Sequence, residues 1–312
     1  MKPLRMAVIG VGHLGKHHAR ILSGLPGATL SAVVDPIVER AQSAAAGSGA
    51  DVFADAIALV DRVDQIDAVV VAVPTDRHMS VARPFLERGV HVLVEKPMAS
   101  SLREADEMLA LANSSGASLA VGQTERFNPA VTAALALLAK PRFIEVHRLS
   151  GFPERSLDID VVFDVMIHDL DIVLSLDRSE VVSVEAIGVP VLTSRIDIAN
   201  ARVKFESGCI ANITASRISR DKVRKVRFFQ RDMYVSVDYA AQELEVWRLK
   251  PRPGERPDIE GGHVEVMREE PLACELRDFV SAIQEGRAPT VSGNEGRRAL
   301  ALATRVAEAI GV

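Results

Sequence analysis

Short, unbroken apolar runs punctuate the first third of the chain: Met6–Ile9, Thr29–Val34, Ala68–Val73, His91–Val94 and Ser118–Val121. β-Branched runs without polar alternation fit parallel strands buried on both faces. Between them, Leu14–Ser23, Val38–Ala46, Met79–Arg88 and Leu102–Ser114 read as helices. Strand–helix alternation of this kind predicts an α/β, doubly wound parallel sheet. After about Asn128 the pattern changes. A helix begins at Pro129, a residue suited to a first helical turn. Strands then dominate: Arg142–Leu149, Val181–Val189, Ala199–Glu206, Ile210–Arg217, Val223–Arg231, Met233–Tyr239 and Glu243–Leu249. Ala201, Val203 and Phe205 alternate with Arg202, Lys204 and Glu206, so one face is apolar and the other polar. Ser207–Gly208 and Arg231–Asp232 supply hairpin turns. The expectation is a large, open, mostly antiparallel sheet interrupted by one helix, Val162–Leu176. The stretch 250–262, rich in Pro, Gly and charge, reads as a loop. Helices at Leu272–Gln284 and Asn294–Ile310 finish the chain.

At 312 residues the length suits two domains. A net charge of −5 gives no global attraction to nucleic acid or to an anionic membrane. The basic stretch Arg217–Arg231 lacks exposed aromatics and a binding motif, and reads as a charged sheet face or a subunit interface. Two cysteines, Cys209 and Cys274, make neither a disulfide framework nor a zinc cluster. The apolar N-terminal run is cut short by glycines, and no run reaches the ~18 apolar residues of a membrane span. A cytoplasmic location is expected.

Gly10, Gly12 and Gly15 form GVGHLG between a strand and a helix, and Asp35 ends the next strand. In that context GxGxxG is the dinucleotide fingerprint of a Rossmann domain, with the phosphates at the helix N-terminus and the acid at the ribose hydroxyls. His13 and Leu14 lie in the same turn. A carboxylate at position 35, followed by Pro36 and Ile37, favours NAD over NADP, with Arg40 the nearest cation to offset it. Pro74–His78 and Glu95-Lys96-Pro97 follow strands at the carboxyl edge, where ligands bind in such folds. The domains expected are 1–122, binding the dinucleotide, and 123–312, an α+β substrate and oligomerisation domain that includes the C-terminal helices.

VAVPTDRH, VHVLVEKP and GQTERFNP, placed after GVGHLG, resemble the Gfo/Idh/MocA oxidoreductases, nicotinamide-dependent sugar and cyclitol dehydrogenases. The resemblance runs over nearly the whole chain, including PLACELRDFVSAI. It implies that Lys96 lies in the active site, together with an Asp and a His four residues apart on a helix, here Asp164 and His168 in FDVMIHDLDIVL. Residues at i and i+4 share a helix face, and an imidazole suits removal of a hydroxyl proton near neutral pH. Without the resemblance, solvated acids at Asp164, Asp169 and Asp171 are the simpler reading. The cofactor residues expected are Gly10, Gly12, His13, Leu14, Gly15, Asp35, Pro74, His78, Glu95 and Lys96. Arg126, Asn128, Arg148 and Arg155 are expected at the substrate, and no metal is expected. The resemblance also implies a cis Lys96–Pro97 bond.

One departure stands out: the family often carries a glycine pair shortly before the Asp, and here the stretch is DIDVVFD. With the arginines at 148 and 155 and with MIHDLDI, it looks like the subgroup oxidising the 3-hydroxyl of UDP-N-acetylglucosamine. A diphosphate favours guanidinium partners. The alternatives are an inositol or free-sugar dehydrogenase, or a non-catalytic dinucleotide-sensing regulator of the same fold. The open sheet face predicts a homodimer or homotetramer.

Overall fold

The computed structural model describes residues 2–152, 159–252 and 256–311. The chain begins with β1 (Leu4–Ile9), α1 (Gly15–Leu22), β2 (Ala28–Val34), α2 (Val38–Ala45), β3 (Asp51–Phe53) and α3 (Ala56–Val60). It continues through β4 (Ala68–Val71), α4 (His78–Leu86), β5 (His91–Glu95), α5 (Leu102–Ser115) and β6 (Leu119–Gly122). Next come α6 (Pro129–Leu137), β7 (Phe143–Leu149), a π-helical turn at Val162–Met166, and α7 (Ile167–Leu176). The strands β8 (Val181–Val189), β9 (Ile198–Phe205), β10 (Ile210–Ser216), β11 (Val223–Gln230), β12 (Met233–Asp238), β13 (Glu243–Lys250) and β14 (Asp258–Val264) follow. Helices α8 (Pro271–Glu285) and α9 (Gly293–Ile310) end the described chain.

The molecule divides into two units, residues 1–123 with 272–300, and residues 124–271 with 301–312. The expected partition at 122/123 assigned both C-terminal helices to the second domain. The structure corrects this: α8 and the first part of α9 belong with the first unit. Leu272, Leu276, Phe279 and Val280 of α8 are buried in one core with Met6, Val8, Leu22, Val33 and Val70. Gln284 of α8 donates to the Gly27 carbonyl, and Ser292 bridges to Ala120 of β6. An amphipathic stripe announces a helix, but it does not say which core that helix completes.

In the first unit, six parallel strands run in the order β3-β2-β1-β4-β5-β6. That is the Rossmann order, and it places the ends of β1, β2, β4 and β5 along one carboxyl edge. β4 and β6 are buried at every position, as continuous apolar runs require. α5 shows the local rules at both ends: Ser101 accepts the Glu104 N–H, and Gly116 closes it at φ 75°.

The second unit holds an eight-stranded sheet, β14-β13-β12-β11-β7-β10-β9-β8. Every neighbouring pair is antiparallel except β7 with β10. β9 alternates as expected, with Ala201, Val203 and Phe205 buried and Arg202 and Lys204 exposed. The expected loop at 250–262 proves to contain most of β14. Gly261 reads as a turn signal but sits in that strand at φ 151°, where a Cβ would come within 2.0 Å of the Val246 carbonyl oxygen. β3, at three residues, is too short for its pattern to show.

Candidate functional site

The turn after β1 uses each glycine for a different reason. Gly10 sits at φ 84°, and a Cβ there would lie 2.7 Å from the Ala72 carbonyl oxygen. A Cβ on Gly15 would lie 1.8 Å from the Gly10 carbonyl oxygen, so α1 can pack against the turn only without one. A Cβ on Gly12 would meet nothing within 4 Å. It would instead fill the open space over the turn where a pyrophosphate approaches the backbone. No side chain caps α1, which leaves its N-terminal dipole available to an anion. His13 and Leu14 are exposed beside it. These residues fit a dinucleotide.

Asp35 lies at the end of β2 and is 5% exposed. One oxygen accepts the Val11 N–H at 2.9 Å, and the other accepts the Ile37 N–H at 2.9 Å. The carboxylate therefore ties the glycine turn to β2, and each oxygen retains a lone pair for a ribose hydroxyl.

Pro74 is exposed at the carboxyl edge and Lys96 is half-buried there, and the Lys96–Pro97 bond is cis. Glu95 and His78, expected to contact the cofactor, are instead buried at 5% and 1% exposure. Glu95 Oε1 lies 2.6 Å from His18 Nε2, and Oε2 accepts the Lys96 backbone N–H. Burial opposes ionisation of Glu95, but His18 and the charge of Lys96 hold its carboxyl below the usual range. His78 places Nδ1 3.0 Å from the Pro97 carbonyl oxygen and Nε2 3.0 Å from that of Val73. Burial lowers its pKa, and a neutral ring donates to one of these carbonyls. Both residues fasten the loops that carry the edge.

In the second unit, Asp164 lies in the π-helical turn and His168 in the first turn of α7, both half-buried. The single helix expected at 162–176 is thus two pieces. A turn bonded i→i+5 is rare and is found at functional sites.

Arg126, Asn128 and Arg148, expected to bind substrate, are committed to the fold. Arg148 donates from Nε and Nη2 to Asp169, at 2.6 and 2.9 Å, and from Nη1 to Glu125 at 3.0 Å. Its guanidinium lies over the Tyr239 ring, whose hydroxyl donates to Asp169. Burial opposes the charge on Arg148, but Asp169 and Glu125 raise its pKa well above the ordinary value. Burial, with Asp169 alongside, pushes the Tyr239 phenol up in the same way. Arg126 pairs with Asp171 at 3.1 Å. Asn128 caps α6 through the Ala130 N–H and donates to the Tyr239 carbonyl. Asp169 and Asp171 are therefore buried ion-pair partners, not solvated acids. Arg155 lies outside the described residues. Within the basic stretch, Arg217 is buried against Asp197, while Arg227 and Lys225 pair across strands with Glu145 and Asp238. No helix among the described residues is long and apolar enough to cross a membrane.

A parallel sheet in Rossmann order, with a phosphate turn and a lysine on one edge, defines a nicotinamide-dinucleotide oxidoreductase. Residues 4–123 match the model of the GFO_IDH_MocA oxidoreductase family, NAD-binding Rossmann fold. UDP-N-acetylglucosamine 3-dehydrogenase of Acidithiobacillus ferrooxidans is 38% identical over 310 residues, covering 98% of this chain and 97% of the relative. The solved structure of that enzyme superposes with a TM-score of 0.91, at 37% identity, over 99% of this chain and 98% of the other. The scyllo-inositol 2-dehydrogenase (NAD(+)) of Bacillus subtilis is 26% identical, covering 93% of this chain and 89% of the relative. The chain belongs to the Gfo/Idh/MocA oxidoreductases and is a nicotinamide-dependent dehydrogenase.

Proposed function

We propose that the protein oxidises the 3-hydroxyl of UDP-N-acetylglucosamine with NAD as acceptor. The observation that carries this reading is the likeness, along nearly the full length of both chains, to UDP-N-acetylglucosamine 3-dehydrogenase. The glycine turn, open at Gly12, supports dinucleotide binding, and the Asp35 carboxylate would repel a 2′-phosphate. When bound, the nicotinamide supplies the hydride acceptor.

The chain's own residues handle the proton and the developing charge. His168 takes the hydroxyl proton, and Asp164 orients the imidazole or the sugar. Lys96 donates to the reacting oxygen and stabilises the negative charge that grows on it. With Arg148 and Arg126 paired internally, the diphosphate is left to other groups, and Arg155 is the arginine still assigned to it.

The test gives the purified protein NAD with UDP-N-acetylglucosamine, N-acetylglucosamine or myo-inositol and follows absorbance of the reduced nicotinamide. Reduction with the UDP compound, slower when NADP replaces NAD, is expected. Activity on inositol alone, or equal activity on the free sugar, contradicts the proposal. No turnover with tight NADH binding would favour the regulator.

A further inference from the structure

The first unit buries a charged cluster behind the edge that carries Lys96. His18 of α1, Glu95 of β5 and Glu275 of α8 are 0%, 5% and 2% exposed. One nitrogen or oxygen atom of each lies within 4.8 Å of the other two. His18 Nε2 and Glu95 Oε1 lie 2.6 Å apart, a charge-assisted hydrogen bond to the ionised Glu95 carboxylate. The second Glu95 oxygen accepts the backbone N–H of Lys96 at 3.3 Å. β6 makes room for this carboxylate with Gly122, where a Cβ would sit 2.9 Å from Glu95 Oε2.

Such a cluster is an expensive way to anchor a helix. Buried carboxylates and imidazoles are costly unless well paired, and apolar residues of similar volume often stabilise a core as well or better. α8 already has that anchor in Leu272, Leu276, Phe279 and Val280. Glu275 therefore contributes something an apolar residue would not, which is a carboxyl group beside the His18–Glu95 pair. The charged and titratable groups around Glu95 are His18 from α1, Lys96 from the end of β5, His78 from the start of α4, and Glu275 from α8. Three of these four come from elements other than β5, so the Glu95 carboxylate that bonds the Lys96 peptide is surrounded from several directions.

We propose that Glu275 is a positioning residue for Lys96. Through His18 and Glu95, helix α8 fixes the peptide from which the lysine leaves β5. The proposal rests on the reading of Lys96 as donor to the reacting oxygen. Small displacements of such a group matter, because a misplacement of about 1 Å can cost ~100-fold in rate.

The test compares Glu275→Gln, which keeps shape and removes the carboxyl, with Glu275→Asp, which keeps the carboxyl. Both are assayed with NAD and UDP-N-acetylglucosamine across pH, alongside NADH binding by fluorescence and thermal melting. Glu275→Gln is expected to melt cooperatively and to bind NADH within about 2-fold of the parent. Its kcat should fall at least ~10-fold with little change in KM, and its pH–kcat profile should shift, as for loss of an interaction acting on the reaction step. Glu275→Asp should recover part of the loss. Wild-type kcat and pH profile in Glu275→Gln would overturn the proposal, as would a lowered melting temperature with kcat unchanged.

A second readout does not depend on turnover. The rate at which an amine-reactive reagent modifies Lys96, mapped by mass spectrometry, should differ between Glu275→Gln and the parent. Should the parent show no dehydrogenase activity, the functional reading fails. An unchanged Lys96 modification rate would then refute the positioning role separately.

Discussion

Single residues of the phosphate turn were legible because their constraints are local. A GxGxxG turn between a strand and a helix leaves few geometries, and Gly10, Gly12 and Gly15 occupy the expected one. The turn separates stability from binding. Gly15→Ala would drive a Cβ into the Gly10 carbonyl, so a lowered melting temperature and lost NADH binding are expected. Gly12→Ala meets no protein atom, so its melting temperature should stay near the parent's while NADH affinity falls at least ~10-fold, or about 1.4 kcal/mol. Calorimetry and fluorescence titration check both, and a Gly12→Ala protein with parental affinity would remove the pyrophosphate from this turn. Arg148, Arg126, Asn128, Glu95 and His78 have partners within the fold that the sequence does not reveal, for a shared reason. Sequence places a polar residue near a sheet edge or loop, but its long-range partners are invisible. Asp169 lies 21 positions from Arg148, and Glu95 lies 77 from His18. Arg148→Met leaves Asp169 buried without its cation, which is expected to cost ~3–5 kcal/mol. Denaturant unfolding would show that loss. A raised KM for the sugar nucleotide with unchanged stability would instead return Arg148 to the substrate.

Elements were readable where their period was regular and hidden where a special backbone intervened. The parallel strands appear as apolar runs and β9 as strict alternation, whereas β14 is masked by Gly261–Gly262 and the π turn by an otherwise helical pattern. The contact that ties α1 to β5 makes a pH prediction. The folded Glu95 pKa lies below its ordinary value, so the unfolded chain binds the proton more readily. The stabilisation is present above the unfolded glutamate pKa, about 4.3, and is lost as pH falls through the lower folded value. The difference in melting temperature between the parent and Glu95→Gln should be largest near neutrality and shrink on acidification below about pH 4. A difference independent of pH would show that Glu95 is not ionised in the folded protein.

At the scale of the whole molecule, one parallel and one mostly antiparallel sheet follow from the order of patterned segments, but the insertion of β7 between β10 and β11 does not. The assignment of α8 does not, because a helix near the end of the chain returns to a core begun at its start. The sheet of the second unit leaves Val182, Ile187 and Val189 of β8 and Trp247 and Leu249 of β13 exposed. These residues stand near opposite edges of the sheet, and a homodimer or homotetramer joined through its open face is expected from light scattering at micromolar concentration. A monomeric mass would contradict that expectation.

The proposed reaction moves a hydride from carbon 3 of the sugar nucleotide to the nicotinamide. It is tested most directly with UDP-N-acetylglucosamine carrying deuterium at that carbon and a mass measurement of the reduced cofactor. Reduced nicotinamide carrying one deuterium and a sugar product lacking it are expected. Reduced cofactor without the label, or no reduction while myo-inositol is oxidised under the same conditions, would contradict it.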